Sequence, residues 1–428
     1  MPVGCKYFDP TVGWPPKIWS QFDADRVRLQ LDQLQALGVN TVRIVISPGY
    51  FMPQLGEWNS AHLQKLEAMV DMGRARDIRF ILTSLDWWDG WPKWLPGDVF
   101  INPELRTPQA IWYEKLYAHF RGDGAIFAAD IRNEPQIGWA SEEMLQAWRA
   151  WLGTPEAAAL LGDRLPDTTA ALSLPPDQPA PFDARLYSYQ RFRESVAAEW
   201  VRDNAAAIRR GDPQRLVTVG LVQWSFPFAN SPRGYAAFNP QDVAPYLDYL
   251  SAHFYPIMPH QRRLTEEWDL MQRYGLAWVR YAYAAGKPLV LQEFGWYGGG
   301  EMNGIFYSQE DLANWNRGLI ELTRDSACGW LSWAYGDCPP APDCTRFGGL
   351  VTVDGQRKLW GESFAQMAPD LTRNLVPRAV ARTSVPLNMQ ELLTSLGEKP
   401  TMYETGCLAR VLQALEDADQ PWDFAVER

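Results

Sequence analysis

The strongest constraint in this chain is an interval. Apolar runs of strand character begin near Val3, Thr41, Arg79, Ile126, Leu216, Tyr249, Leu289 and Gly329. Successive starts lie 33 to 47 residues apart, except for one gap of 90 between Ile126 and Leu216. About 40 residues is the length of one strand, one covering helix and two loops. Neighbouring parallel strands joined by right-handed helical crossovers curl in one direction, and eight such units close on themselves. The interval therefore predicts an α/β fold, a (β/α)8 TIM barrel. The 428 residues are ample for the roughly 250 such a barrel needs.

Start and stop signals between the runs agree. Asp23 stands ahead of a stretch with Val27, Leu31 and Leu34 on one face, ended by Gly38. Ser60 precedes Leu63, Leu66 and Val70, and Thr107-Pro108 offers Pro at a first helical position. Ser308 with Asp311 has the spacing of a capping box ahead of Leu312, Trp315 and Leu319. Further helices are expected over Tyr187–Arg210 and near Glu266–Ala285. The gap of 90 holds an insertion after strand four, residues 153–185, rich in Pro, Ala and Asp. Such an excursion belongs on the surface. The barrel is expected over residues 1–368. Residues 369–428 carry two short helical patterns, Met389–Leu396 and Cys407–Leu415, and are expected to form a short helical C-terminal tail packed on it.

Composition narrows the partners. The formal charge is −11, which disfavours nucleic acid or an anionic membrane as a partner. No apolar run approaches the roughly 18 residues of a membrane-spanning helix, and no secretory signal is visible in Met1–Pro10. The five cysteines show no metal-ligand spacing, so no metal is expected. Cys338 and Cys344 flank a Pro-rich loop and are spaced for a short disulfide in an exported protein. The chain holds 21 Trp, and several stand in Gly- and Pro-rich loop sequence, among them Trp14, Trp87, Trp224 and Trp296. Flat rings with a polar edge suit ligands with C–H faces and hydroxyl rims, the description of a sugar.

In this fold the reacting groups stand at the C-terminal ends of the strands. The second strand carries Arg43, the third ends with Asp86-Trp87-Trp88, the fourth with Asn133-Glu134-Pro135, and the fifth at Gln223-Trp224. The sixth ends with His253-Phe254-Tyr255, the seventh with Glu293-Phe294-Gly295, and the eighth with Trp333. Glu134 and Glu293 are carboxylates at the tips of apolar strands that face each other across a small barrel. Two facing carboxyls, one protonated and one ionised, are the equipment of glycoside hydrolysis. Asp86 would bind a sugar hydroxyl or cap a turn, and Trp87, Trp224 and Trp296 are candidate sugar platforms.

The ordered set Arg43, Asn133, Glu134, His253, Tyr255, Glu293 and Trp333 resembles glycoside hydrolase clan A, and most closely family 5, the cellulase and mannanase family. The resemblance spans about residues 40–335. It implies a retaining β-glycosidase without a cofactor, acting on a β-linked glucoside, mannoside or galactoside by double displacement. Glu134 would be general acid and then base, and Glu293 the nucleophile. Asn133 would hold the sugar 2-hydroxyl, Tyr255 and Arg43 would orient Glu293, His253 would bond near the acid, and Trp333 would floor the sugar. The sequence departs from the family in lacking a His between Leu82 and Trp94. Its long fourth loop, Trp148 to Trp200, resembles that of exo-acting clan A β-galactosidases. The rivals are therefore an exo-β-galactosidase-like enzyme and a carbohydrate-binding barrel without catalysis.

Overall fold

The computed structural model describes residues 1–84, 89–164, 173–175, 184–227, 233–256, 268–302, 304–373, 383–388 and 422–427. Eight parallel strands close a barrel: β1 (Val3–Lys6), β2 (Thr41–Ile46), β3 (Arg79–Ser84), β4 (Ile126–Asn133), β5 (Leu216–Leu221), β6 (Leu250–Phe254), β7 (Leu289–Phe294) and β8 (Trp330–Ser332). β1 pairs with both β2 and β8, so the ring has no free edge. The strands are buried almost throughout, as expected where helices cover the outside and side chains fill the inside.

Covering helices follow the strands: α1 (Ala24–Ala36), α2 (Ser60–Arg74), α3 (Arg106–His119), α4 (Ala184–Gly211), the single turn α5 (Pro240–Val243), α6 (Trp268–Tyr283), α7 (Gln309–Thr323) and α8 (Leu359–Arg373). The Asp23 carboxylate accepts from the amides of Asp25 and Arg26, and Ser308 and Asp311 form the expected capping box. Two starts shift by a residue or two. Asn59, not Ser60, caps α2, and α3 begins at Arg106 after a tight turn at Pro103–Leu105, leaving Pro108 in its first turn.

Most of the aromatic excess is core. Trp19, Trp112, Trp148, Trp278, Trp315, Trp330 and Trp360 are fully buried. Several indoles tie a helix or loop to a strand: Trp112 Nε1 donates to Ser84 Oγ at 2.8 Å, and Trp360 Nε1 to Ser332 Oγ at 2.9 Å. These two buried N–H groups are thereby satisfied where each would otherwise cost about 1–3 kcal/mol.

After β4 come two extra helices, Glu142–Leu152 and Pro155–Leu161, the second inside the expected insertion and capped by Thr154. Helix α8 crosses the expected barrel–tail limit at 368/369. The tail helices expected at Met389–Leu396 and Cys407–Leu415 lie outside the described residues. What is described there is a parallel strand pair, Thr383–Asn388 with Trp422–Glu427. Its apolar residues alternate, Val385 with Leu387 and Trp422 with Phe424, and are buried. That period of two in six-residue segments is the signal the sequence reading passed over. Asp423 Oδ1 meets Arg280 Nη1 of α6 at 3.2 Å. Cys338 and Cys344 are free thiols. Among the described residues no helix is long and apolar enough to cross a membrane.

Candidate active site

Strand register assembles the site. Arg43 lies beside Lys6 of β1, Asn133 beside Gly220 of β5, and His253 beside Glu293 of β7. Seven of the expected residues meet at this end of the barrel: Arg43, Asn133, Glu134, His253, Tyr255, Glu293 and Trp333. Asp86 and Trp87 lie outside the described residues. Trp224 and Trp296, half-buried, follow β5 and β7.

Arg43 is the hub. It is fully buried, and its Nη1 donates to Glu293 Oε1. Its Nη2 donates to Asn133 Oδ1 at 2.8 Å and to Thr83 Oγ1 at 3.3 Å. Tyr255 Oη donates to the other oxygen of Glu293 at 2.9 Å. Burial and the neighbouring Glu293 charge push the Tyr255 phenol well above its usual range, so it remains a donor. Gln223 grips the Tyr255 backbone on both sides, donating to its carbonyl at 2.9 Å and accepting from its amide at 2.7 Å. Glu293 thus has a cation on one oxygen and a phenol on the other, the company of an ionised carboxylate.

Glu134 is held differently. Burial pushes its carboxyl up to about 7, against the pull of the Arg43 and Lys6 charges. Its Oε1 lies 3.0 Å from His253 Nδ1. Burial lowers His253 to about 4, so the ring is neutral near neutral pH. Which partner carries the proton of that bond follows the ionisation of Glu134. The backbone of Glu134 has φ of 45°, the left-handed region that costs a non-glycine residue about 1–3 kcal/mol. Its amide donates to the Gly220 carbonyl at 2.9 Å, and this kink turns the side chain out of the strand.

One ligand atom each of Glu134, His253 and Glu293 lie within 4.8 Å of one another. That spacing could suit a divalent cation, but Arg43 already places a positive charge on Glu293. An oxygen of Glu134 within 4.8 Å of one of Glu293 accords with the shorter carboxyl spacing of retaining enzymes, about 5–5.5 Å, rather than the wider one of inverting enzymes.

Trp333 is 4% exposed, its Nε1 donating to Thr345 Oγ1 at 2.9 Å and its ring 6.5 Å from that of Trp14. The Lys6 ammonium lies 5.9 Å from the Trp333 ring centre. Trp14 also lines a groove of about 830 Å³ between the loops after β1 and β8, walled by Pro10, Val12 and Pro339–Pro342. Trp296 packs against Tyr297 and Tyr307 with centroids 4.7 and 6.4 Å away, so part of its ring is structural.

The sequence reading missed four residues of the site: Asp130, Gly220, Gln292 and Lys6. A charge inside an otherwise apolar strand, Asp130 after Ala128-Ala129 and Lys6 after Val3-Gly4-Cys5, was the available signal. For Gly220 there was none. A Cβ there would come 2.9 Å from His253 Cε1 and 3.0 Å from Arg43 Nη2, so only glycine leaves room for both.

The cellulase model, glycosyl hydrolase family 5, matches residues 20–338. The chain belongs to this family. It is 22% identical over 360 residues to a probable mannan endo-1,4-β-mannosidase F of Aspergillus flavus, covering 77% of this chain and 64% of that protein. Among solved structures, the exo-β-1,4-mannosidase Op5Man5 of Opitutaceae bacterium strain TAV5 superposes with a TM-score of 0.67 at 20% identity, covering 100% of this chain and 69% of that one. A GH5_18 variant of Streptomyces cattleya in complex with Manβ1-4GlcNAc gives 0.67 at 19%, covering 100% and 94%. A β-galactosidase of Marinomonas ef1 gives 0.71 at 15%, covering 100% and 70%. At these identities the structural likenesses establish the barrel fold. The chain spans about two thirds of the length of the Aspergillus protein.

Proposed function

We propose that this chain is a retaining β-glycosidase that hydrolyses β-mannosidic bonds by double displacement. The observation that carries the reading is the contrast between two neighbouring carboxyls. Glu134 is pushed up to about 7, and Glu293 is bonded by Arg43 and Tyr255 with an oxygen within 4.8 Å of it. In the first step Glu134 gives its proton to the departing oxygen while Glu293 attacks the anomeric carbon and forms a glycosyl ester. In the second step Glu134, now ionised, takes a proton from water, and the water releases the sugar from Glu293. Arg43 holds Glu293 and Asn133 in one geometry, which leaves the Asn133 amide N–H groups for the sugar 2-hydroxyl. Trp333 floors the sugar. No step calls for a cofactor.

Mannose is favoured because the mannanase and mannosidase relatives are those that carry a named sugar and share the family. The test is a hydrolysis screen over aryl β-mannoside, β-glucoside and β-galactoside, with mannan viscosity followed in parallel. Turnover of the mannoside with the highest kcat/KM supports the proposal, and an early viscosity fall assigns internal cleavage. Preference for the galactoside would favour the exo-galactosidase reading instead. Binding of sugars without turnover across the panel would leave a carbohydrate-binding barrel.

A further inference from the structure

A third carboxylate lies beneath the two at the cleft. Asp130 of β4 is fully buried in the barrel interior. Its Oδ2 accepts from Arg43 Nε at 2.7 Å, lies 2.6 Å from Arg43 Nη2, and accepts from Gln292 Nε2 at 3.0 Å. Its Oδ1 accepts from the Gly220 amide at 2.9 Å. Every contact comes from a different strand: Arg43 from β2, Gly220 from β5 and Gln292 from β7. Gln292 is itself held by Tyr249, whose hydroxyl donates to its Oε1 at 3.3 Å.

Resting on the double-displacement reading, we propose that Asp130 is a positioning residue that acts through Arg43. It sets the plane of the guanidinium and offsets its charge, so that Glu293 is ionised yet reactive. The geometric part follows from the fork of donors. With the Nε–Nη2 edge of the planar guanidinium fixed on Asp130 Oδ2, Nη1 and the remaining N–H of Nη2 can point only where Glu293 and Asn133 stand. The electrostatic part follows from charge. Arg43 without a buried counterion would place a whole positive charge on the nucleophile and hold its electrons too tightly to attack well. Paired with Asp130, the guanidinium is nearly neutral as seen from Glu293 and acts mainly as a hydrogen-bond donor.

The two steps of double displacement respond to that charge with opposite sign. A more stabilised Glu293 carboxylate attacks more slowly but departs more readily from the glycosyl ester. The guanidinium is in direct contact with the attacking carboxylate, so the effect on attack should be about tenfold or more.

The probe is a 2,4-dinitrophenyl 2-deoxy-2-fluoro-β-glycoside of the sugar that the wild type prefers. It traps the ester, so that labelling reports attack and reactivation reports departure. In Asp130→Asn, labelling should slow about tenfold or more, while reactivation is unchanged or faster. Slowing of both steps alike, or of neither, would overturn the proposal, since a merely loosened site impairs attack and departure together. If Asp130→Asn does not fold, Gln292→Leu decides. It removes the side-chain donor that competes with Arg43 for Asp130 Oδ2, leaving only the Gly220 amide on Oδ1, and should shift the two rates in the reverse directions, by about twofold. Equal slowing there would again overturn the proposal. A wild type that no fluoro-glycoside labels would instead refute the double-displacement reading itself.

Discussion

The tips of β4 and β7 each end in a glutamate, and the two glutamates keep opposite company. At β7 the carboxylate of Glu293 meets Arg43 on one oxygen and Tyr255 on the other. At β4 the carboxyl of Glu134 has neutral His253 as its neighbour and is pushed up to about 7 by burial. Their supports differ as well. The loop after β4 is held by a buried cation on backbone carbonyls: Arg193 Nη2 donates to Ile137 O and to Tyr235 O, each at 2.7 Å. The loop after β7 is held by a buried ion pair, in which Lys358 Nζ donates to Gly298 O at 2.7 Å and to Asp337 Oδ1 at 2.8 Å. On the proposed mechanism one residue type serves two roles, because the groups around it, not the residue, decide which proton state is stable.

The sharpest break of this comparison is to remove each carboxyl in turn. On the proposed mechanism Glu293→Ala loses turnover of every substrate, since no leaving group replaces a missing nucleophile. Glu134→Ala keeps the first step on a dinitrophenyl glycoside and loses about 10²–10⁴-fold on a sugar leaving group. Azide added to Glu134→Ala should give the β-glycosyl azide, and added to Glu293→Ala the α-azide. The reverse products, identified by NMR, would exchange the roles. The pH profile extends the same test. The acid must be protonated, so wild-type kcat/KM should fall as pH rises through about 7, and that limb should vanish in Glu134→Ala on the activated substrate.

The supports come next in size. Asp337→Ala leaves the Lys358 ammonium buried without its carboxylate partner and should cost about 3–5 kcal/mol, read by denaturant unfolding. Arg193→Met leaves two buried carbonyls without their donor and should cost about 1–3 kcal/mol for each. An Asp337→Ala variant of wild-type stability would show that the β7 loop does not depend on its ion pair.

The rings flanking the cleft separate the two sides more gently. Trp224→Ala and Trp296→Ala should each weaken substrate binding by about 1–3 kcal/mol, as for other aromatic anchors. Because Trp296 also packs on Tyr297 and Tyr307, its loss should lower Tm as well, whereas Trp224→Ala should leave Tm nearly unchanged. A large Tm fall with unchanged affinity in either variant would make that ring a core residue.

The smallest effect is a slope. The Glu134 carboxyl holds its proton more tightly in the folded chain than in the unfolded one, up to about 7 against an ordinary 4.5. Its contribution to stability is therefore full below about 4.5 and is lost as pH rises through 7. Glu134→Gln should flatten the decline of Tm across that window. An unaltered slope would mean that Glu134 ionises as an exposed acid does.

Much of this was legible in the chain because it is local or periodic. The interval of strand starts predicted the barrel, and Asn133-Glu134-Pro135 and Glu293-Phe294-Gly295 marked the strand tips. The Ser308–Asp311 capping box could be read from four residues. The strand pair Thr383–Asn388 with Trp422–Glu427 was not read, because six-residue alternation is a weak signal and the partner strand lies more than 30 residues away.

The sequence by itself determined the order of strands and helices, the residue types at each strand end, and so the family and its paired glutamates. Hydrophobic period and capping act over a few residues, and they are written wherever those residues stand. Only the tertiary structure supplied the cause that raises the Glu134 carboxyl. That depends on desolvation and on charges brought from other strands: Lys6 from β1, Arg43 from β2 and His253 from β6, within reach of β4 and β7. Asp130 shows the same division. In the chain it is one acid in an apolar strand. In the closed barrel it is the counterion of Arg43, because closure brings β2, β5 and β7 within direct hydrogen-bond distance of it.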